Sequence, residues 1–168
     1  MSRANRRKSH CRRWMSQRSQ SDRRGAAAVE MALTFPVFLL FLFGLLEFGH
    51  LLMVKAALTS AAKEGARMGS IENASTADVQ AFIENRISRA FPSVAATIYI
   101  KDASVYDSSS PPSGPINPST LPDIELSTTE SRHMFVVQID VAYSDVAIFP
   151  PFWASNVQLT GISILRHE

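Results

Sequence analysis

From Met31 to Leu46 sixteen consecutive residues carry no charge, and only Glu47 and His50 break the apolar character before Lys55. About 20 apolar residues suffice to cross the hydrocarbon core of a bilayer as a helix. Residues 26–54 are therefore read as a transmembrane helix. A cleavable secretory signal has an apolar region of roughly 7 to 15 residues followed by a small-x-small site. Here the run is longer, and Glu47-Phe48-Gly49-His50 follows it instead. A retained membrane helix is the expectation.

Charge divides at the start of this run. Residues 1–24 hold nine of the seventeen Lys and Arg against one acid, Asp22, so the remaining chain carries eight bases and fourteen acids, a net of −6. Cationic flanks stay cytoplasmic. Residues 1–25 thus read as a basic cytoplasmic leader, with the chain beyond the helix exported. Nine bases in 24 residues would also neutralise phosphates, but a topogenic and anionic-lipid role accounts for them once a membrane helix follows at once. Membrane lipid, and no nucleic acid, is the expected partner. The lone Cys11 excludes an internal disulfide and a thiolate metal cluster.

At the junction stands Arg23-Arg24-Gly25-Ala26-Ala27-Ala28-Val29-Glu30. Glu30 enters an apolar helix, where a mid-bilayer charge costs about 2.5–3.5 kcal/mol on insertion scales, so its presence needs a reason. An acid near a helix N-terminus offsets the dipole, one such reason. The layout of basic leader, Gly, four small or apolar residues, Glu and long apolar helix resembles the N-terminus of type IV pilins and pseudopilins. Within that group Ala28-Val29-Glu30-Met31-Ala32-Leu33, Leu45-Leu46-Glu47-Phe48-Gly49-His50 and Ala61-Ala62-Lys63-Glu64-Gly65-Ala66-Arg67 resemble the TadE-like pseudopilins of tight-adherence (Flp-type) pilus systems. The resemblance spans about residues 23–69. It implies cleavage by a prepilin peptidase between Gly25 and Ala26, and pairing of Glu30 with the new N-terminal amine of a neighbouring subunit. It also implies other pilins or pseudopilins, an inner-membrane assembly platform and its secretion ATPase as partners. Major Flp pilins typically have Tyr after the Glu and little beyond the helix. Met31 and about a hundred further residues point to the minor, pseudopilin type.

Beyond Lys55 the helical pattern continues, and Ala57, Ala61, Gly65 and Gly69 form a stripe of minimal side chains. Such stripes permit close helix approach, either to the chain's own domain or to a neighbouring subunit. A helix from Ala26 to Gly69 would be on the order of 65 Å long, projecting beyond the bilayer and bent near Pro36. Glu47 and His50, at i and i+3, are expected near the far interface, reaching water or pairing with each other. Ser75 and Asp78 announce a second helix with Val79, Phe82, Ile83, Ile87 and Phe91 on one face, stopped by Pro92. Residues 94–100, 134–143 and 157–165 alternate as strands. The fold class expected is α+β: a long N-terminal transmembrane helix projecting into a small exported domain, residues 55–168, with a short helix and a roughly three-stranded antiparallel sheet. Residues 107–122, with five Pro and five Ser, read as a flexible exposed loop. Phe149-Pro150-Pro151-Phe152-Trp153 reads as a packed aromatic turn, or as a contact for a subunit or the membrane interface if exposed.

No HExxH, phosphate loop, nucleophile elbow or ligand-spaced His pair occurs among His10, His50, His133 and His167. No catalytic residues, metal or cofactor are expected, and the protein is not read as an enzyme. The competing class is an uncleaved, single-pass, membrane-anchored module that binds a ligand or partner through its outer domain.

Overall fold

The computed structural model describes the backbone of residues 4–149 and 156–168, and the side chains of residues 25–149 and 156–168. The turn residues Phe152 and Trp153, and the leader side chains including Cys11, lie outside the described side chains. The chain divides into two compact units, residues 1–46 and 47–168.

Helix α1, Ala4–Gly69, is the longest element and remains helical through Pro36. In the first unit its described residues, 25–46, are almost all exposed, including Met31, Phe35, Leu40, Phe41 and Leu45. Among the described residues, the stretch Gly25–Gly69 is the one helix long and apolar enough to cross a membrane.

In the second unit, residues 47–69 of α1 share a core with the elements that follow. Val54, Leu58, Ala61, Ala62 and Ala66 are buried together with Val79, Ile83 and Ile87 of α2, Thr76–Ala90. The turn between the helices contains Asn73 at φ 66°, a left-handed conformation that Asn tolerates. Ser75 caps α2: its hydroxyl oxygen accepts from the Asp78 N–H at 3.1 Å. The helix ends at Ala90, two residues before Pro92, where the α conformation becomes unfavourable.

Strands β1 (Ala96–Asp102), β2 (Met134–Ala142) and β3 (Gln158–Arg166) form an antiparallel sheet in the order β1-β2-β3. The register pairs Ile100 with Val137 and Ile139 with Gly161. Phe135, Val137, Ile139 and Val141 lie in the core with Ile98, Ile100 and Leu159, which puts the period-two alternation of the sequence to use. Alternate residues project to the other face, where Asp140 accepts from the Gln138 amide at 2.9 Å and from the Thr160 hydroxyl at 2.7 Å. A short helix, α3 (Tyr143–Val146), follows β2. The architecture is thus α+β, a helical layer on a three-stranded antiparallel sheet, as the sequence leads one to expect.

Three glycines set how closely these layers approach. A Cβ on Gly65 would lie 2.5 Å from Ile83 Cδ1, and one on Gly69 would lie 2.8 Å from Leu126 Cδ1. A Cβ on Gly161 would meet backbone, 2.4 Å from the Leu58 carbonyl carbon and 2.7 Å from the Thr59 nitrogen.

The Pro/Ser segment divides in two. Residues 107–115 are exposed, in keeping with their composition. The following part is docked: Pro118 and Leu126 are buried, and the Pro122 carbonyl accepts from the Asp102 N–H at 3.0 Å. Glu125 then accepts from the Thr76 N–H at 3.0 Å. That bond to the first residue of α2, with a second from Ser127, holds the carboxyl below its usual range. An exposed loop across all of 107–122 is corrected accordingly.

Candidate functional site

The first unit carries the residues predicted for processing. Gly25, Ala26 and Glu30 are all exposed on α1, and nothing lies within 4 Å of a Cβ built on Gly25. Among the described residues, Glu30 has no hydrogen-bonded or ionic partner in this single chain. It stands one turn after Ala26, on a helix whose exposed side chains are otherwise apolar from Val29 to Leu46, apart from Thr34. Chemically, this is a large exposed apolar surface broken near its start by one exposed carboxylate.

Glu47 opens the second unit and behaves differently. It is 7% exposed and accepts a hydrogen bond from the hydroxyl of Tyr143, itself 1% exposed. Burial first, and then the adjacent Glu47 carboxylate, push the Tyr143 phenol up to about 12. The other carboxylate oxygen, Oε2, is buried without a hydrogen-bond partner. One turn on, His50 Nε2 lies 2.8 Å from the Val146 carbonyl oxygen; since a carbonyl only accepts, Nε2 carries the proton. Glu47 and His50 therefore bind other partners and not each other, and Glu47 is buried where the sequence suggested that it would pair with His50 or reach water. Both hold α3 against α1.

The small-residue stripe is used within the chain. Ala61, Gly65 and Gly69 are buried, with Gly65 against Ile83 and Gly69 against Leu126 and Phe135, while Ala57 stays half-buried. Of the two uses left open by the sequence, packing on the chain's own domain is the one seen for these three residues. At Gly65 and Gly69 the space that a side chain would take is filled from within the chain. Ala57 lines a groove with Ser60, Arg86 and Arg89.

Near the start of β2, Asp102, Ser104 and His133 come together. His133 Nε2 lies 3.0 Å from Asp102 Oδ1, and the Ser104 N–H donates to the same oxygen at 2.7 Å. Burial alone would raise the Asp102 pKa, but the Ser104 and His133 contacts outweigh it and hold the carboxyl below its usual value. Serine and imidazole are both partners of the carboxylate. A nucleophilic relay needs the imidazole between the other two groups. Among the described residues, no group of three or more His, Cys, Asp and Glu is arranged to hold a metal ion.

Three structural residues escaped sequence reasoning. Tyr143 gave no signal, because its partner lies 96 positions away. Gly161 inside a strand was a readable sign of close backbone approach. His167, buried, reaches the Gly69 carbonyl oxygen with Nδ1 at 3.0 Å, satisfying one of the free carbonyls at the end of α1.

Residues 25–67 match the family model described as TadE-like protein, the family that the three N-terminal motifs resemble. The match covers the exposed apolar part of α1 and nearly all of the part that enters the core. No curated protein matches the chain, and no solved structure does.

Proposed function

We propose that this chain is a minor pilin-like, or pseudopilin-like, membrane protein of a tight-adherence (Flp-type) pilus or a related secretion system, acting by helix-mediated assembly. The observation that carries the reading is the TadE-like match over residues 25–67, falling on a helix whose apolar surface is exposed from Val29 to Leu46 and interrupted at Glu30. In this reading the protein is held in the inner membrane with residues 1–25 in the cytoplasm, because nine bases precede the span and Lys55 is the first after it.

The lipid-embedded part is taken as residues 26–46, eight fewer than the 26–54 expected from sequence. Glu47 and Val54 are buried in the second unit, and packed protein replaces lipid around them. The 21 residues that remain give about 32 Å of helix, close to a hydrocarbon core of about 30 Å. A prepilin peptidase cuts between Gly25 and Ala26, where the absence of a side chain lets extended backbone into a tight cleft. The new amine on a neighbouring copy pairs with Glu30, and the apolar helices associate laterally with those of other pilins on an inner-membrane platform driven by a secretion ATPase. The protein is a substrate and structural component, with no reaction of its own.

Co-expression with a prepilin peptidase, followed by intact-mass measurement of the membrane-extracted chain, tests this directly. The expected species begins at Ala26 and retains Glu30. A mature chain that keeps residues 1–25 refutes processing. A Glu30→Gln variant that stays in the membrane and still supports fibre assembly favours the anchored-module alternative.

A further inference from the structure

Where α1 enters the 47–168 unit, four large apolar side chains are exposed. Phe48 and Leu52 of α1 are 60% and 50% exposed, and Ile148 and Val157 are 55% and 44% exposed. Two of these four come from parts of the chain about a hundred positions beyond the span, so they are not a continuation of its sequence pattern. Hydrogen bonds bring them there. His50 binds the Val146 carbonyl, two residues before Ile148. The Tyr143 hydroxyl donates to Glu47, and the Tyr143 N–H donates to the Val157 carbonyl at 2.9 Å.

We propose that these side chains form a lipid-facing collar: Ile148 and Val157, with Phe48 and Leu52, sit in the interfacial layer of the bilayer and seat the domain on the membrane surface. The inference rests on the reading of residues 26–46 as a lipid-embedded span. Continuity names the occupant. Residue 47 is bonded to Leu46, the last residue of the exposed apolar run. At about 1.5 Å per residue, Phe48 and Leu52 follow it by about 3 Å and 9 Å of helix, and a helical side chain leans back over the turn before its own Cα, which brings Leu52 toward the span. The interfacial layer on each side is about 5–7 Å thick, so the first turns beyond the span and whatever is pinned to them meet headgroups. The buried Glu47 carboxylate fits this position: protein, in the form of Tyr143, partners a group that lipid would not. The charged neighbours are mixed, with Lys55 on α1 and Asp145 on α3 both exposed. Burial of apolar side chains therefore holds the collar, and zwitterionic lipid is enough.

The test uses the full chain with Cys11→Ser, carrying a single spin label at Ile148→Cys, Val157→Cys, Leu40→Cys or Ser127→Cys, in phosphatidylcholine nanodiscs. Leu40 reports the span. Ser127 reports the far end of the domain, since the adjacent Leu126 packs at Gly69. The expected result is that labels at 148 and 157 lose collisions with a water-soluble nickel chelate and keep those with oxygen, like the label at 40, while the label at 127 keeps its nickel collisions. If 148 and 157 behave like 127 while 40 stays shielded, the collar is wrong and the span stands. If 40 also collides freely with nickel, the span itself is wrong and the collar falls with it. Shielding of 148 and 157 from both reagents assigns them to a protein contact, such as a second copy, and overturns the proposal.

Discussion

Replacing Gly161 by Ala should cost far more than replacing Gly65 by Ala, although both methyl groups start from similar overlaps. At Gly161 the new Cβ would lie 2.4 Å from the Leu58 carbonyl carbon and 2.6 Å from its oxygen. Those atoms belong to the hydrogen-bonded backbone of α1 and cannot rotate aside. Recovering an ordinary contact of 3.4 Å requires β3 and α1 to separate by about 1 Å (3.4 − 2.4). A close-packed core cannot absorb such a gap. Overpacking costs about 1–3 kcal/mol where side chains can adjust; with rigid backbone the upper end, about 3 kcal/mol, is the expectation. At Gly65 the clash is with Cδ1 and Cγ1 of Ile83 at 2.5 and 2.6 Å. A side chain can move off its rotamer for about 0.5–1.5 kcal/mol, and Ala in a helix returns about 1 kcal/mol relative to Gly. The two nearly cancel. For a unit of this size, 1 kcal/mol corresponds to roughly 3–5 °C in Tm. Thermal unfolding of the detergent-solubilised chain, followed by near-ultraviolet circular dichroism, should show a fall of about 10–15 °C for Gly161→Ala and a change within about 5 °C for Gly65→Ala. Equal shifts for the two would refute the close approach of β3 to the α1 backbone.

Two further predictions concern Glu47. Tyr143→Phe removes a hydrogen bond to a buried carboxylate and should destabilise the domain by about 2–3 kcal/mol, whereas Glu47→Met combined with Tyr143→Phe should recover part of the loss, because an apolar pair can replace a buried polar one; chemical denaturation of the three variants measures this, and a double variant worse than Tyr143→Phe contradicts it. The Tyr143 phenol is raised from 10 to about 12 in the fold, so between these values the unfolded chain gives up a proton that the native state keeps. Stability contributed by this group is complete below pH 10 and is lost as pH rises through 12. The wild-type chain should therefore lose stability more steeply than Tyr143→Phe over that window, and parallel curves would count against the buried pair.

Much of the architecture is legible in the sequence because its signals are local. The Ser75 cap, the Val79, Ile83 and Ile87 stripe and the stop before Pro92 are each decided within four residues, and α2 runs Thr76–Ala90. The strands expected at 94–100, 134–143 and 157–165 fall within two residues of β1, β2 and β3. What could not be read is non-local. A stripe of small residues states that something comes close but not what, and here Ile83, Leu126 and Phe135 fill the space. For Glu47 and His50, spacing offered each other or water, while the partners come from 96 positions away. Composition marked 107–122 as exposed, yet Pro is an apolar side chain as well as a breaker, and Pro118 is buried. The apolar run around Glu30 was legible as well, since its residues are consecutive in the sequence and exposed in the fold.

The division at Leu46/Glu47 has a consequence for modularity. The matched segment, residues 25–67, is two things in series: an apolar surface up to Leu46, and a stretch that donates Val54, Leu58, Ala61, Ala62 and Ala66 to the core. A graft that exchanges residues 26–46 for an unrelated membrane anchor leaves every one of those donations intact. A seam at Gly69/Ser70 strips the sheet and α2 of the surface they fold against. The natural unit of exchange in this chain therefore ends at Leu46, inside the helix, and not at the end of the helix.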